Sequence, residues 1–262
     1  MTSTQLVRNT GLFARPGEYL SSGKIVRTAD IGDNVHLTHI MTDAPAITAD
    51  MLQSMLRFYT PLVSDTMERL GMPSGALHHA IQPILPDPLL KVCGIAFPCR
   101  VVPTDEYVEI DMLLKMVDAI PAGAFVLVAS DKPIDAALWG GMMSARARAR
   151  GAVAAAVNGG VRDVEQIGTL KFPVFGEHRC IRDIRRRGYM AAYDVDVRIG
   201  GIEVRPGDVI FGDINGVVAI PAARFGELHT ELELACAEEA ATHHGLIGGG
   251  DARGLFERYG RF

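Results

Sequence analysis

Residues 152–163 read AVAAAVNGGVRD, an apolar run that ends in two glycines and a pair of opposite charges. The run over 152–157 contains no polar residue, which is typical of a strand that is covered on both faces. Gly159 and Gly160 predict a tight turn after this strand, and a helix is predicted to begin near Val161. In open α/β sheets, ligands bind at the carboxyl ends of parallel strands. The segment therefore indicates both the fold class and the place where a site is expected.

The sequence before and after residues 152–163 predicts an alternation of strands and helices. Thr60 and Pro61 are typical of a helix N-cap and first turn, and Gly71 marks the end of that helix. Strands are predicted over residues 80–84, 92–102, 124–129 and 173–175, and helices over 105–120 and 135–150. This order predicts a parallel sheet with right-handed crossovers.

After Gly188 the apolar residues recur with a period of two, before the chain returns to a helical pattern. Short strands are predicted over residues 190–199, 202–204, 209–211 and 217–220, and a final helix over 222–244. Mixed parallel and antiparallel strands wrapped by helices predict an α/β protein of the β/β/α type. Residues 1–47 alternate short polar and apolar pieces, so we expect an N-terminal arm or small extension before one domain over residues 48–262.

The composition is that of an ordinary globular protein, with 262 residues of which 48% are hydrophobic and 22% charged. It excludes a disordered or collagen-like chain. The 26 Lys and Arg residues face 31 Asp and Glu residues, so a net charge of -5 gives no general attraction to nucleic acid. The sequence shows no signal-peptide pattern and no apolar run of the roughly 18 residues that cross a bilayer. We therefore expect a cytoplasmic protein that binds neither nucleic acid nor membrane.

The cysteines and the lysines limit the kinds of site that the sequence can form. The cysteines Cys93, Cys99, Cys180 and Cys236 are too irregularly spaced for a disulfide framework or a zinc ribbon, and they are expected to be buried thiols. Only five basic residues are lysines, and none lies in a glycine segment, so a Schiff-base lyase has few candidates. The many arginines offer two-pronged recognition of carboxylates, although genome composition explains the bias equally well.

Arg162 and Asp163 place a cation and a carboxylate side by side after the apolar strand. One interpretation makes Arg162 a clamp for a substrate carboxylate and Asp163 a ligand for a hard divalent cation. The other makes Asp163 the N-cap of its helix, paired with Arg162 at the surface. Spacing alone leaves both interpretations open.

A second glycine segment, WGGMM at residues 139–143, also needs an explanation. Two adjacent glycines inside a helix cost roughly 1 kcal/mol each relative to alanine. If the helix begins near Gly141, the amides of Gly141, Met142 and Met143 form an anion-binding nest that faces the same strand ends. Close packing of the helix against the sheet explains the glycines equally well.

Together these segments resemble a known family. The motifs that carry the resemblance are WGGMMS at 139–144, ARG at 149–151, NGGVRDV at 158–164 and FPVF at 172–175, with VSD at 63–65, GIAF at 94–97, PGDV at 206–209 and YG at 259–260. They resemble the RraA-like family, which contains divalent-metal-dependent 4-hydroxy-4-methyl-2-oxoglutarate and 4-carboxy-4-hydroxy-2-oxoadipate aldolases and the regulator of ribonuclease activity A. The resemblance runs from about Pro61 to the C-terminus.

The resemblance implies a swivelling β/β/α domain with a mixed sheet, assembled as homotrimers or homohexamers with active sites between subunits. It implies a lyase that acts on a 2-oxo acid through a pyruvate-type enolate, by retro-aldol cleavage of a 4-hydroxy-2-oxo acid or by decarboxylation of oxaloacetate. Arg162 and the amides of residues 141–143 would hold the pyruvate carboxylate, and Asp163 would bind Mg²⁺ or Mn²⁺. A glutamate of the neighbouring subunit, matching Glu238 or Glu239, would assist proton transfer.

The sequence departs from the family in three places. Asn158 stands where many relatives have Asp, a change that keeps the turn chemistry, and residues 176–182 are more charged than is usual in the family. The third departure lies in the site. Family aldolases carry an acid where this chain has Gly141, and that acid helps to order water around the metal. Two alternatives to the family aldolase activity therefore stay open. One is a non-catalytic regulator that binds a ribonuclease, and the other is a re-purposed lyase of a specialised pathway.

Overall fold

The structure is a computed structural model that describes residues 18–21, 24–27 and 47–260. The chain divides into two units, Met1–Asp43 and Ala44–Phe262. In the first unit, β1 (Glu18–Ser21) and β2 (Lys24–Arg27) pair as antiparallel strands. The rest of the predicted arm before Ile47 lies outside the described residues, so the arm over residues 1–47 stays a prediction.

The second unit alternates helices and strands. Its helices are α1 (Ala49–Ser54), α2 (Thr60–Arg69), α3 (Asp111–Ala119), α4 (Gly141–Ala149), α5 (Val164–Leu170), α6 (Phe225–Ile247) and α7 (Ala252–Tyr259), with 3₁₀ turns at Met55–Arg57 and Ala222–Arg224. Its strands are β3 (Gln82–Pro83), β4 (Lys91–Pro103), β5 (Ala124–Ser130), β6 (Ala137–Trp139), β7 (Ala154–Val157), β8 (Gly160–Val161), β9 (Val174–Gly176), β10 (His178–Arg179), β11 (Gly188–Tyr193), β12 (Val197–Ile199), β13 (Ile202–Val204), β14 (Val209–Asp213) and β15 (Gly216–Ile220). In the part of the chain that the structure describes, no helix is both long and apolar enough to span a membrane.

An eight-stranded sheet forms the centre of this unit. Seven strands follow the order β15-β14-β4-β5-β7-β9-β3, and β11 pairs with the long strand β4. Strands β4, β5, β7 and β9 are parallel to one another. Strands β3, β11, β14 and β15 pair antiparallel with their neighbours. The predicted α/β class with a mixed sheet is therefore confirmed.

A second, three-stranded parallel sheet of β6, β8 and β10 positions the candidate site. Gly160 in β8 lies opposite Ala137 in β6 and His178 in β10. A Cβ atom on Gly160 would lie 2.5 Å from the Cys180 Cβ atom and 2.8 Å from the Ala136 carbonyl oxygen. Glycine is required here because no side chain fits between the three segments.

Apolar side chains cover both faces of the central sheet. One face packs against α3, α4 and α5 through a cluster that includes Val126, Ala155 and Trp139. The other face contributes Phe125 to a cluster with β12 and β13, and a third cluster joins α2 and α6 to β14 and β15 around Phe211. Because β7 is buried on both sides, its sequence contains only apolar residues, as predicted.

The predicted helix over residues 135–150 was wrong in its first part. Residues 137–139 form β6, since their backbone pairs with β8 in the small sheet. Gly140 is extended, with φ -159° and ψ -176°, and helix α4 begins at Gly141. Tertiary pairing thus decides the state of an apolar tripeptide whose local sequence is compatible with either element.

Other predicted boundaries of helices and strands also differ from the observed ones. Val161 belongs to β8, so α5 begins at Val164 and not near Val161. The predicted strand over 190–199 is two strands, because Asp194 adopts a left-handed φ of 55° between them. The final helix begins at Phe225, and α7, which follows a run of glycines, was not predicted.

The cysteines are free thiols of unequal burial. Cys99 is buried, as predicted, whereas Cys93, Cys180 and Cys236 are half-buried, which corrects the expectation of four buried thiols. Burial raises the pKa of the Cys93 thiol to about 12, and it also raises the pKa of Cys99. Both thiols are therefore protonated at physiological pH.

A buried carboxylate caps the N-terminus of helix α2. Asp213, which is 2% exposed, accepts hydrogen bonds from the Thr60 backbone N–H at 2.8 Å and the Thr60 hydroxyl at 2.7 Å. It also accepts from the Asn215 backbone N–H at 2.7 Å, which closes the β14–β15 turn. The helix starts at Thr60 after Tyr59, and no side chain of that N-cap satisfies its amides. The predicted N-cap at Thr60 is thus replaced by a cap from another strand.

We expect Asp213→Ala to lower the free energy of unfolding by about 3 kcal/mol, because it leaves buried donors at two junctions without an acceptor. Asp213→Asn retains one acceptor oxygen and should lose less. Urea unfolding at pH 7, followed by circular dichroism, measures both. Asp196→Ala, which removes an exposed aspartate 3.7 Å from Arg205, is the control. Equal stability of the Asp213→Ala and Asp196→Ala variants would contradict the proposed cap.

Candidate functional site

Asp163 lies between β8 and α5 in an unusual backbone conformation. Its φ of 55° and ψ of 38° place it in the left-handed region, which aspartate tolerates better than most residues. It occupies the N-cap position of α5, but its side chain does not cap that helix. Instead, Asp163 Oδ2 accepts a hydrogen bond of 3.1 Å from the Gly141 N–H at the start of α4. The carboxylate therefore joins two strand–helix junctions.

The glycines at 140 and 141 permit this contact. A Cβ atom on Gly140 would lie 2.9 Å from Asp163 Oδ2. A Cβ atom on Gly141 would lie 2.3 Å from Gln166 Oε1 and 3.0 Å from the Asp163 Cβ atom. Close packing thus accounts for both glycines, but the contacts are with the junction at Arg162 and Asp163 and with Gln166 of α5, and not with the sheet as expected.

The predicted anion-binding nest is smaller than the sequence suggests. The Gly141 N–H is engaged by Asp163, and the first intrahelical bond runs from the Ser144 N–H to the Gly140 carbonyl at 3.0 Å. Among the described residues, none accepts a hydrogen bond from the Met142 or Met143 N–H. These two amides lie in the first turn of α4, where unpaired N–H groups are suited to binding an anion.

Arg162 is held between two carboxylates. Its Nε atom lies 3.5 Å from Asp163 Oδ2, and its Nη1 atom donates to Asp183 Oδ2 at 3.1 Å. The Nη2 group has no hydrogen-bond acceptor within the described ranges. The guanidinium is thus oriented by the protein and retains N–H donors for a further anion.

Asp183, in the loop between β10 and β11, was not singled out from the sequence. Its carboxylate accepts from the Arg185 N–H at 2.8 Å and from Arg185 Nε at 2.9 Å. The Arg185 guanidinium, aided by Arg162, holds the pKa of Asp183 well below its usual range. The only sequence signal was the density of charge over residues 177–187, which does not indicate which carboxylate meets Arg162.

These groups open into a cavity of about 540 Å³. Its apolar lining comes mainly from α3, β6 and α4, and its charged lining consists of arginine–aspartate pairs. The lining includes Leu113, Leu114, Val117, Asp118, Trp139, Met142, Met143, Arg146, Arg162, Asp163, Asp183, Ile184 and Arg185. The structure therefore brings Arg162, Asp163 and the 142–143 amides together beside one cavity.

Glu238 and Glu239 lie elsewhere in the chain. Both are on α6, which packs against α2, and Glu238 Oε2 lies 3.7 Å from Arg69 Nη1. Neither residue lines the cavity. Their predicted role requires a neighbouring subunit, and it stays a prediction.

The Asp163 carboxylate could bind a hard divalent cation that has few protein ligands. Across the described residues, no three His, Cys, Asp or Glu side chains are placed to share a metal ion. Asp163 Oδ1, however, has no hydrogen-bond donor there and remains available. Mg²⁺ commonly binds through one or two carboxylates and completes its coordination with water and substrate. The residues present therefore fit a cation that is bound largely by water and substrate.

We expect Gly141→Ala to lower the free energy of unfolding by about 1 to 3 kcal/mol, because the added methyl group overlaps Gln166 and Asp163. The double variant with Gln166→Ala should recover part of this loss, since it removes the nearest overlap. Urea unfolding of both single variants and the double variant measures this coupling. Gly168→Ala is the control, because its methyl group would meet only the end of the Leu85 side chain at 3.1 Å. Strict additivity would contradict the packing described.

Comparison with known proteins agrees with this architecture. A sequence profile of the RraA-like family, described as Aldolase/RraA, matches residues 60–219, more than half of the chain. Protein DlpA of Legionella pneumophila is 28% identical over 182 residues, which are 68% of this chain and 29% of that protein. A Halalkalibacterium halodurans protein named "Putative 4-hydroxy-4-methyl-2-oxoglutarate aldolase" is 28% identical over 134 residues, which are 51% of this chain and 63% of that protein. The match thus spans less than two thirds of either relative.

A solved structure shows the same fold. RraAS2 of Streptomyces coelicolor, described as an unusual member of the RNase ES inhibitor RraA protein family, has a TM-score of 0.68 at 20% identity. The superposition covers 76% of this chain and 98% of that one. The predicted RraA-like β/β/α fold is therefore confirmed, and the chain belongs to the RraA-like family.

Proposed function

We propose that this protein is a divalent-metal-dependent carbon–carbon lyase that cleaves a 4-hydroxy-2-oxo acid by a retro-aldol reaction. The same site would decarboxylate oxaloacetate, because both reactions develop an enolate on a 2-oxo acid head. The observation that carries the proposal is the arrangement of Arg162, Asp163 and two open amides beside one cavity. The aldolase name of the Halalkalibacterium halodurans relative supports it.

Arg162 would bind the carboxylate of the 2-oxo acid through the N–H donors that face away from its two aspartates. The Met142 and Met143 amides, at the N-terminus of α4, would donate to the same carboxylate. Because Asp163 and Asp183 already orient the guanidinium, little side-chain freedom is lost when the substrate binds.

Asp163 would hold Mg²⁺ or Mn²⁺ through Oδ1 while Oδ2 keeps its bond to the Gly141 N–H. When bound, such a cation stabilises the negative charge that develops on the keto oxygen. The hydrogen bond from the Gly141 N–H would keep this carboxylate in place beside the Arg162 guanidinium while the cation is held.

A proton must leave the 4-hydroxyl group in retro-aldol cleavage. Among the described residues that line the cavity of a single subunit, no carboxylate is free of an arginine partner to accept it. The three aspartates that line the cavity are all engaged by arginines. We therefore propose that Glu238 or Glu239 of a neighbouring copy accepts the proton, and that the protein acts as a homotrimer or homohexamer with sites between subunits.

Asp163→Asn should lower kcat for a 4-hydroxy-2-oxo acid or oxaloacetate by at least about 10²-fold, and Arg162→Ala by a similar factor. Asparagine can still accept from the Gly141 N–H, so the fold should persist, as circular dichroism would verify. Asp196→Asn, a change at an exposed ion pair outside the site, is the control. EDTA should abolish activity of the unchanged protein, and Mg²⁺ or Mn²⁺ should restore it.

Near-normal activity of either site variant would place the site elsewhere. Substrate-dependent trapping by borohydride would indicate a Schiff-base lyase instead. Absence of turnover with every cation tested would favour the ribonuclease-binding alternative.

Mixing two inactive variants tests the shared site. Asp163→Asn protein should regain activity when it is reassembled with the Glu238→Gln/Glu239→Gln double variant. In a random cyclic assembly with one site per interface, about a quarter of the sites would carry both intact groups. Each variant reassembled alone is the control. Failure to regain activity, with mixed oligomers present by mass spectrometry, would contradict a base from the neighbouring subunit.

A further inference from the structure

We infer that Arg179 binds a second carboxylate of the substrate and thereby selects dicarboxylic over monocarboxylic 2-oxo acids. The inference rests on the proposed function, because it takes the 2-oxo acid head group to be bound at Arg162 and Asp163. A second cavity, which these two residues also line, provides the place for the second carboxylate.

The second cavity lies at strands β8 and β10 of the small three-stranded sheet. It has a volume of about 320 Å³ and is lined by Val161, Arg162, Asp163, Val164, Arg179, Cys180 and Ile181. Arg162 and Asp163 line this cavity as well as the one of about 540 Å³. A ligand whose keto oxygen lies at Asp163 therefore has two cavities into which its remaining carbons can extend.

Strand pairing brings Arg179 beside the head-group site. Strand β10 is parallel to β8, and Arg179 lies opposite Val161, the residue before Arg162. Because neighbouring strands are about 4.8 Å apart, the Arg179 side chain starts one strand away from the junction of Arg162 and Asp163. A substrate bound at that junction is thus next to this arginine.

The Arg179 guanidinium is held in place without being neutralised by an acid. Its Nη2 atom donates to the Ile84 carbonyl oxygen at 3.3 Å. Among the described residues, no carboxylate oxygen lies within 4 Å of its nitrogen atoms, and its Nε and Nη1 atoms have no hydrogen-bond acceptor. A guanidinium with free N–H groups can bind a carboxylate through two parallel hydrogen bonds.

Arg179 also gives the second cavity a positive charge. The described lining contains two arginines and one aspartate, Asp163, so it carries a formal surplus of one positive charge. Arg162 and Asp163 are assigned to the head group and the cation, which leaves Arg179 as the counter-charge for a second carboxylate. A monocarboxylic acid would displace water from Arg179 without supplying that charge.

A neighbouring subunit is the other candidate occupant of the second cavity, because Ile181, which lines it, is 93% exposed. The position of Arg179 on the same cavity as Arg162 and Asp163 favours a small acid that contacts all three residues. A subunit contact does not require that arrangement. The experiments below distinguish the two occupants.

Isothermal titration in the presence of Mg²⁺ compares pyruvate, 2-oxopentanoate and 2-oxoglutarate, which share the head group. Pyruvate has no further group, and 2-oxoglutarate has a carboxylate at the position of the last methyl group of 2-oxopentanoate. None has the 4-hydroxyl group that cleavage requires. We expect 2-oxoglutarate to bind at least about tenfold more tightly than 2-oxopentanoate, because only the diacid makes charged hydrogen bonds with Arg179. Equal or weaker binding of 2-oxoglutarate overturns the inference, as does absence of binding of all three acids.

Variants of Arg179 test its part in this selectivity. Arg179→Gln should weaken binding of 2-oxoglutarate relative to pyruvate at least about tenfold, and Arg179→Lys, which keeps the charge but not the planar pair of donors, should lose less. Arg198→Gln is the matched control, because Arg198 is an exposed arginine outside both cavities and has no ion pair among the described residues. Equal weakening of both acids by Arg179→Gln, together with a changed sedimentation coefficient, would identify Arg179 as a subunit contact and overturn the inference.

Cys180 locates the second carboxylate without any substitution. It is half-buried and lines the second cavity, whereas Cys236 is half-buried on α6 and lines neither cavity. Alkylation of the two thiols by N-ethylmaleimide is followed by peptide mass spectrometry. Saturating 2-oxoglutarate should slow alkylation of Cys180 more than saturating pyruvate does, with Cys236 as the control. Equal alkylation rates of Cys180 with the two acids would place the tail elsewhere and contradict the inference.

Turnover separates this inference from the proposed function. Arg179→Gln should lower kcat/KM for 4-hydroxy-4-methyl-2-oxoglutarate relative to 4-hydroxy-2-oxopentanoate at least about tenfold. Equal losses for the two substrates would overturn the role of Arg179 and retain the lyase. Selective binding of 2-oxoglutarate without cleavage of either hydroxy acid would defeat the proposed lyase and retain Arg179 as a carboxylate-binding residue.

Discussion

The hydrogen bond from the Gly141 N–H to the Asp163 carboxylate ties the start of α4 to the junction between β8 and α5. Everything at the candidate site depends on this contact. It needs a residue in the left-handed region at 163 and two residues without side chains at 140 and 141, because any Cβ atom there would overlap the carboxylate or Gln166. Since it uses one carboxylate oxygen and one amide, it leaves the other oxygen and the next two amides without a hydrogen-bond partner among the described residues, at residues that line one cavity.

A second constraint is the balance of charge around that contact. Every arginine that lines the cavity lies within 4 Å of an aspartate, and Arg162 lies between two. The pairs orient the guanidinium groups at the edge of the cavity. Apolar side chains of α3 and α4 line the rest of the cavity. The cavity therefore has a polar end, where Arg162 lies between Asp163 and Asp183, and an apolar part that is lined by α3 and α4.

Much of this architecture could be predicted from local sequence. The apolar run over 152–157, its glycine turn and the alternation of elements around it indicated a parallel sheet, and Gly71 correctly marked the end of α2. Residues 137–139 could not be assigned this way, since an apolar tripeptide pairs as a strand only if β8 lies beside it. For the same reason the cap of α2 was missed: Asp213 is about 150 residues away from Thr60 in sequence and meets it only through β14.

The sequence by itself determined the fold class, because that class follows from periodicity, and it placed a guanidinium beside a carboxylate at one strand end, because Arg162 and Asp163 are neighbours. The family resemblance came from the glycine motifs and not from periodicity. Only the tertiary structure decided what that carboxylate binds, which amides stay open and that Asp183 meets Arg162 from another loop. It also decided that α3 supplies an apolar wall to the site. Such contacts join segments that are far apart in sequence, and their geometry is specified by the packing of the whole sheet and not by any local pattern.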